Sequence, residues 1–313
     1  MSELHVVFGT GPLGLVVMRD LRRRGKHVRM VNRSGQVRFE KDLQTEVGGV
    51  DAADPGQTRE VCEGAAAVYH CVGLPYPRWT EFPSIAAGVV EGAASSGAKL
   101  IYADNLYAYG AVDRPMTEEM PLKATTKKGR IRAGIAQSLM SAHSAGKVRV
   151  AIGRGSDFFG PFATDAAMMG SRVFGRALTG KTAQAIGNPD RLHTYTFIED
   201  FGKALVTLGE RNEALGKAWH VPSAPAMTTR SFVEKVFGAL GKPVKLSIAP
   251  RFAIALLGRF DENVRELREM LYQFERDFVM DSHRFESVFG ARPAPIDHGI
   301  RQTLDWYRYR SSS

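Results

Sequence analysis

Gly9-Thr10-Gly11-Pro12-Leu13-Gly14 has the spacing G-x-G-x-x-G. It stands between a short apolar run, Leu4 to Phe8, and a segment from Leu13 to Arg24 whose apolar residues recur at helical intervals. The chemistry of such a loop is anion binding. Gly9 permits the tight turn, Gly11 lets a pyrophosphate approach the backbone, and Gly14 lets the helix close onto the strand while its N-terminus receives negative charge. The glycine spacing carries this meaning when a strand precedes it and a helix follows, and both are present. A nicotinamide dinucleotide site is therefore expected. The next apolar run, His27 to Val31, ends in Asn32-Arg33-Ser34. An acidic residue there holds both hydroxyls of the adenosine ribose in NAD sites. Asn32 instead brings no charge to repel a 2′-phosphate, and Arg33 offers a planar fork to bind one. The pattern favours NADP over NAD, the alternative being that Arg33 is an ordinary surface arginine. Asp51 and Asp54 follow a strand-like Glu46 to Val50; one of them contacts the adenine amino group or caps the next helix.

Other chemistries find less support. The eight histidines are scattered, with no metal-ligand spacing, so no metal is expected. There is no G-x-S-x-G elbow for a hydrolase triad. Cys62 and Cys71 lack C-x-x-C spacing and read as small buried hydrophobes. His70 ends an apolar run and reads as structural, whereas His193, in a loop between Arg191 and Tyr195, is a candidate for touching substrate.

The elements that must position the loop alternate strand and helix. After the first unit come strands at Ala65 to Cys71, Lys99 to Ala103 and Val148 to Ile152, with helices at Ser84 to Ser96 and Arg130 to Ala145. Such alternation predicts an α/β fold, a Rossmann-type doubly wound parallel sheet over residues 1–160. Beyond Gly160-Pro161 the regularity breaks. Helices are expected at Phe174 to Leu178, Ile198 to Glu210, Thr228 to Leu240 and Ile300 to Tyr309, a strand at Ala218 to Val221, and mostly helix from Ala249 to Phe278. This makes residues 161–313 a smaller mixed C-terminal substrate lobe, with some elements returning to the first domain. The segment Ala249 to Phe260, built on the apolar helix Phe252 to Leu257, either lines or covers the cleft or packs within its own lobe.

The 313 residues, 44% of them hydrophobic, suffice for a core without disulfides or metal. A formal net charge of +9 and a pI near 9.6 raise the question of an anionic partner. The basic knots, Arg22 to Arg24 and Lys127 to Arg132, carry no interleaved aromatics, so nucleic acid is not expected, and the first knot reads as a solvated helix face. The N-terminal apolar run stops at G-T-G-P, and Phe252 to Leu257 is too short to span a bilayer. A cytoplasmic protein with a small-molecule substrate and no membrane partner is expected.

Seven pieces, in order, resemble the extended short-chain dehydrogenases, the NAD-dependent epimerase/dehydratase superfamily. They are the glycine loop, V-D-A-A-D at 50–54, V-Y-H-C-V-G at 68–73, I-Y-A-D-N-L-Y-A-Y-G at 101–110, G-R-G-S-D-F-F-G-P at 153–161, T-F-I-E-D at 196–200 and T-L-D-W-Y-R at 303–308. The resemblance implies a cofactor across the strand ends with Gly73 beside it, the Ser156 to Phe159 stretch near the nicotinamide, and a homodimer formed through helices 84–96 and 130–145.

The chain departs from the family at its catalytic residues. The family's Ser or Thr position holds Asn105. Its Y-x-x-x-K segment aligns with Lys128-Gly129-Arg130-Ile131-Arg132, so lysine replaces tyrosine and arginine replaces lysine. The resemblance thus implies an NADP-dependent oxidoreductase or epimerase-like enzyme with a non-standard acid/base. Lys128 serves as acid or base, or it belongs with Arg132 to a solvated basic knot, or the two only bind cofactor ribose and an anionic substrate. Arg132 acts on it as a neighbouring cation, and Asn105 holds the substrate oxygen. Tyr109 matches a packing tyrosine, leaving Tyr107 as the freer candidate for a displaced acid. Two alternatives stand beside this: a non-catalytic NADP-binding regulator, and a lyase or isomerase without net hydride transfer.

Overall fold

The computed structural model describes residues 3–37, 45–165 and 167–312. Leu4–Phe8 (β1) is buried from its second residue on and leads through the glycine loop into Pro12–Arg23 (α1), with proline in the first turn where no intrahelical N–H is needed. His27–Asn32 (β2), Glu46–Gly49 (β3), Pro55–Val61 (α2) and Ala65–His70 (β4) follow. A 3-10 turn, Tyr76–Glu81, then enters Phe82–Ser96 (α3), which Gly97 stops in the left-handed conformation. Lys99–Asn105 (β5), Lys127–Ser144 (α4) and Arg149–Gly155 (β6) complete the expected alternation.

The chain then adds Asp157–Phe159 (β7), a π-helical turn Ser171–Gly175 running into Arg176–Leu178 (α5), Ala183–Ile186 (β8), Leu192–His193 (β9), Tyr195–Phe197 (β10) and Ile198–Glu210 (α6). Lys217–His220 (β11), Met227–Thr228 (β12), Thr229–Gly238 (α7), Leu246–Ala249 (β13) and Arg251–Leu257 (α8) come next. Glu262–Leu267 (α9), Tyr272–Glu275 (α10), His283–Phe289 (α11) and Ile296–Ser312 (α12) close the order. The expected stretch of helix from Ala249 is therefore broken into α8, α9 and α10.

Seven strands form one parallel sheet in the order β3-β2-β1-β4-β5-β6-β11. Strand order reverses between β1 and β4, and ligands of open α/β sheets bind outside the carboxyl ends at such a point. Phe8 pairs with both Val31 and His70, so the ends of β2 and β4 flank the glycine loop. One face of the sheet is covered by α1, α6 and α11, the other by α2, α3 and α4, each with its own apolar layer. Both α6 and β11 lie beyond residue 160 yet belong to these layers. A third apolar cluster, built on Phe159, Phe174, Phe197, Phe232 and Tyr307, lies outside these layers. Short pairs β10–β7, β12–β9 and β13–β8 stand apart from the seven-stranded sheet and were not expected from the sequence.

Candidate functional site

The glycine loop obeys three different steric demands. Gly9 sits at φ +106°, and a Cβ there would lie 2.6 Å from the Cys71 carbonyl oxygen. A Cβ on Gly14 would lie 1.8 Å from the Gly9 carbonyl oxygen, so helix and loop touch without room for a methyl. A Cβ on Gly11, or on Gly73 across the switch point, would meet nothing within 4 Å. The α1 N-terminus has Gly11 as its cap residue, with no side-chain cap and no acidic residue in its first turn. Open space before uncapped N–H groups is what a pyrophosphate requires, so these residues fit a dinucleotide.

At the end of β2, Asn32 is fully engaged in shaping the turn. Its amide nitrogen donates to the Thr10 hydroxyl and the Gln36 carbonyl, while its oxygen accepts from the Ser34 and Gly35 N–H groups at 2.9 and 2.7 Å and from the Ser34 hydroxyl. Arg33 projects outward and meets Glu81 at 3.3 Å. Arg78 holds the same carboxylate through two nitrogens, at 2.6 and 2.7 Å. Together they hold the Glu81 carboxyl down at about 2, the Arg78 hydrogen bonds contributing most. Of the two aspartates, Asp54 is the cap of α2, accepting from Gly56 and Gln57. Asp51 folds onto the Ala53 N–H at 3.1 Å.

The acid/base candidates converge at the ends of β5 and β6, whose last residues, Asn105 and Gly155, are paired. The Asn105 amide oxygen accepts from the Tyr107 N–H at 3.0 Å, which leaves its NH2 group as a donor. Tyr107 meets the Tyr76 hydroxyl at 2.9 Å and the Gln273 amide at 3.5 Å. Burial pushes the Tyr107 hydroxyl well above the ordinary phenol value, and Tyr76 and Asp157 push it further. It is a protonated donor, not a tyrosinate. Behind it, Tyr109 donates to His220 and accepts from Arg154. These roles follow because the other His220 nitrogen faces the Asp281 carbonyl, which can only accept. Tyr109 therefore packs, in a network tied to Asp104.

Lys128 is 1% exposed at the start of α4. Its ammonium meets Glu266 at 2.6 Å and Glu269 at 2.7 Å, and lies 5.0 Å from the Tyr76 ring. Glu269 also accepts from the backbone N–H groups of Lys127 and Lys128, occupying the helix N-terminus. The expectation that Arg132 is the charge facing Lys128 is corrected here, because the two carboxylates from the lobe take that place. Arg132 turns instead to Tyr102 at 2.7 Å and Asp104 at 3.7 Å, stacked over Trp79 and Phe82.

His70 is buried against Tyr102 and held down at about 3, first by burial and then by Arg132, so it is neutral and structural. His193, a candidate for touching substrate, is 2% exposed and stacked between Tyr195, Phe274 and Phe278. It backs Asp157 at 2.9 Å, with its other nitrogen on the Gln273 carbonyl. Sequence reasoning missed Gln273, Glu266 and Glu269, and it held Asp157 only as part of the Ser156 to Phe159 stretch, without singling it out. The Gln273 Oε1, the Tyr272 hydroxyl and Arg132 Nε are among the buried polar atoms of the described residues that have no hydrogen-bond partner. Beside Glu269, a cavity of about 580 Å³ is lined by Phe252, Ala255, Arg265, Arg268 and Leu271. Ile254 of α8 is buried in a small cluster with Leu271 and Phe274, while Phe252, Leu256 and Leu257 face solvent. Among the described residues no acidic, histidine and cysteine cluster can hold a metal, and no helix is long and apolar enough to cross a membrane.

A family model described as the NAD dependent epimerase/dehydratase family matches residues 6–221. No match was found among curated proteins. An epimerase from Methanothermobacter thermautotrophicus superposes with a TM-score of 0.83 at 16% identity, covering 99% of this chain and 94% of that one. The UDP-glucose 4-epimerase of Thermus thermophilus, solved with NAD, gives 0.79 at 19% identity over 97% and 99% of the two chains. The dTDP-glucose 4,6-dehydratase of Bacillus anthracis, also with NAD, gives 0.80 at 14% over 99% and 98%. These likenesses bear on the fold.

Proposed function

The chain belongs to the NAD-dependent epimerase/dehydratase family, and from that premise we propose an NADP-dependent oxidoreductase or epimerase-like enzyme with a non-standard acid/base. The observation that carries the cofactor preference is Arg33, a guanidinium at the end of β2 beside an uncharged Asn32. Two of the solved neighbours named above hold NAD, so this preference rests on the chain's own residues. The pyrophosphate lies on Gly9 to Gly14 with Gly73 opposite, Thr10, Pro12 and Leu13 shaping the loop, Ser34 and Asp51 bordering the adenosine. A bound nicotinamide supplies hydride chemistry. Asn105 donates its amide to the substrate oxygen, and Tyr107, kept protonated, is a proton donor on the same side. Lys128, at the family's tyrosine position, holds a proton that Glu266 and Glu269 can share, and it borders the cofactor ribose with Arg132.

The test is a fluorescence titration of NADPH and NADH on the native chain and on Arg33→Ala. A charge-assisted contact of about 1.5–3 kcal/mol corresponds to roughly 10- to 150-fold. Equal native affinities, or no loss of NADPH affinity in the variant, would remove the NADP reading. One observation favours a non-catalytic NADP-binding regulator: the only group at the tyrosine position is clamped by two carboxylates. Oxidation of NADPH against a panel of carbonyl compounds separates the two readings.

We also propose a homodimer. Between α3 and α4 runs a groove of about 650 Å³, with the buried Ala86, Val90, Ile135 and Leu139 at its floor and Ala87, Ile131 and Ala142 in its lining.

A further inference from the structure

The turn Tyr76–Glu81 is held rigidly. The Trp79 indole donates to the Leu74 carbonyl at 2.9 Å and is packed edge-on against Phe82 and flat against Tyr107. This anchorage leaves Arg78 and Glu81 on the surface beside the β2 turn. Two guanidiniums, Arg33 and Arg78, there converge on one carboxylate. Both arginines and Glu81 keep between a third and three-fifths of their side chains exposed, so an incoming anion can reach both forks, and the Arg33 contact, a single one at 3.3 Å, is the weaker of the two. Three features, two cationic forks and a singly charged acceptor between them, describe an anion subsite already holding an internal anion.

We infer that Arg78 is a second ligand of the cofactor 2′-phosphate and that Glu81 stands in for that phosphate, competing with it for Arg33 and Arg78. The inference rests on the NADP reading of Arg33 and names the residues that tune it. A dianionic phosphate with three acceptor oxygens can satisfy both forks, whereas the carboxylate that it displaces turns to solvent. An internal competitor lowers apparent affinity by the fraction of molecules in which it occupies the site. Glu81 thus sets how strongly the chain prefers NADP.

The experiment titrates adenosine 2′,5′-bisphosphate, 5′-AMP, NADPH and NADH by calorimetry or fluorescence on the native chain, Arg78→Ala and Glu81→Gln, with melting curves confirming the fold. Arg78→Ala should weaken adenosine 2′,5′-bisphosphate and NADPH about tenfold, and Glu81→Gln should tighten both about threefold to tenfold. Neither variant should move 5′-AMP or NADH appreciably. A native chain that prefers NADPH while both variants bind all four ligands as it does would overturn this inference alone. A native chain that binds NADPH and NADH equally would overturn the cofactor reading, and this inference with it.

Discussion

Replacing Gly11 and Gly14 by alanine separates the two jobs of the glycine loop. At Gly14 the new methyl would stand 1.8 Å from the Gly9 oxygen and 2.9 Å from the Gly9 carbonyl carbon. Both are backbone atoms, so no rotamer change relieves the clash, and helix α1 must move off β1. Overpacking of this sort costs about 1–3 kcal/mol or more, and backbone on both sides puts Gly14→Ala at the upper end. With an unfolding entropy of about 2.1 cal/mol/K per residue, 313 residues give about 0.66 kcal/mol/K. A cost of about 3 kcal/mol then lowers the melting temperature by about 4–5 °C. Gly11 has φ −77° and ψ −175°, a conformation open to alanine, and its methyl would meet no protein atom within 4 Å. The entropy gain of about 0.4–1 kcal/mol is offset by the poorer helix-cap preference of alanine, so Gly11→Ala should melt within about 2 °C of native. Its methyl nevertheless occupies the space assigned to the pyrophosphate, and NADPH and NADH should both bind at least about tenfold more weakly, a loss of about 1.4 kcal/mol. Scanning fluorimetry and cofactor titration read the two effects separately. Native-like cofactor binding by Gly11→Ala would refute the placement of the pyrophosphate, and native-like melting of Gly14→Ala would refute the steric argument.

Burial holds His70 and His220 down at about 3, so between that value and about 6.5 the unfolded chain binds protons that the folded chain refuses. Stability should therefore fall as pH drops below about 6.5, by about 1.4 kcal/mol per unit for each, while the raised carboxyls of Glu118, Glu199 and Asp200 work in the opposite sense nearer their own range. The melting temperature should decline from pH 6.5 to 5, and His70→Met should flatten that slope; an unchanged slope counts against the burial argument. Lys128→Met leaves the partly exposed Glu266 and Glu269 without their shared cation, which should cost about 1–3 kcal/mol, and Lys128→Met with Glu266→Gln and Glu269→Gln should recover most of it. Once a substrate is found, that stable triple variant should turn over about a hundredfold more slowly with near-native NADPH affinity. Unchanged turnover would leave Tyr107 or Asp157 as the proton carrier. Sedimentation should give twice the 34.3 kDa chain mass, and Ala87→Arg, at the α3–α4 groove, should give the monomer; a native monomer rejects the dimer.

Much of the fold was legible because it is written in local spacing. Helix α6 spans the expected Ile198 to Glu210, Thr228 caps α7, and the parallel alternation to β6 follows from apolar runs and their glycine stops. The glycine loop is likewise local, since the clashes that exclude side chains at Gly9 and Gly14 arise from a strand, its turn and the neighbouring strand end. The strands β7, β9, β10 and β12 have two or three residues each, too few to show a period, and they exist because the lobe folds around them.

Side-chain chemistry at the strand ends was decided by tertiary structure. Lys128 read as the neighbour of Arg132, four residues away. Its actual partners are Glu266 and Glu269, about 140 positions along the chain. Arg33 meets Glu81 across 48 residues, and His193 backs Asp157 across 36. Spacing along a sequence specifies what a residue can touch within its own helix or strand. The charge that faces a lysine, or the burial that keeps a tyrosine protonated, depends on which distant segment the topology returns to the carboxyl edge of the sheet. In this chain that segment is the lobe beyond β11, whose carboxylates and amide close over residues that the sequence could place but not partner.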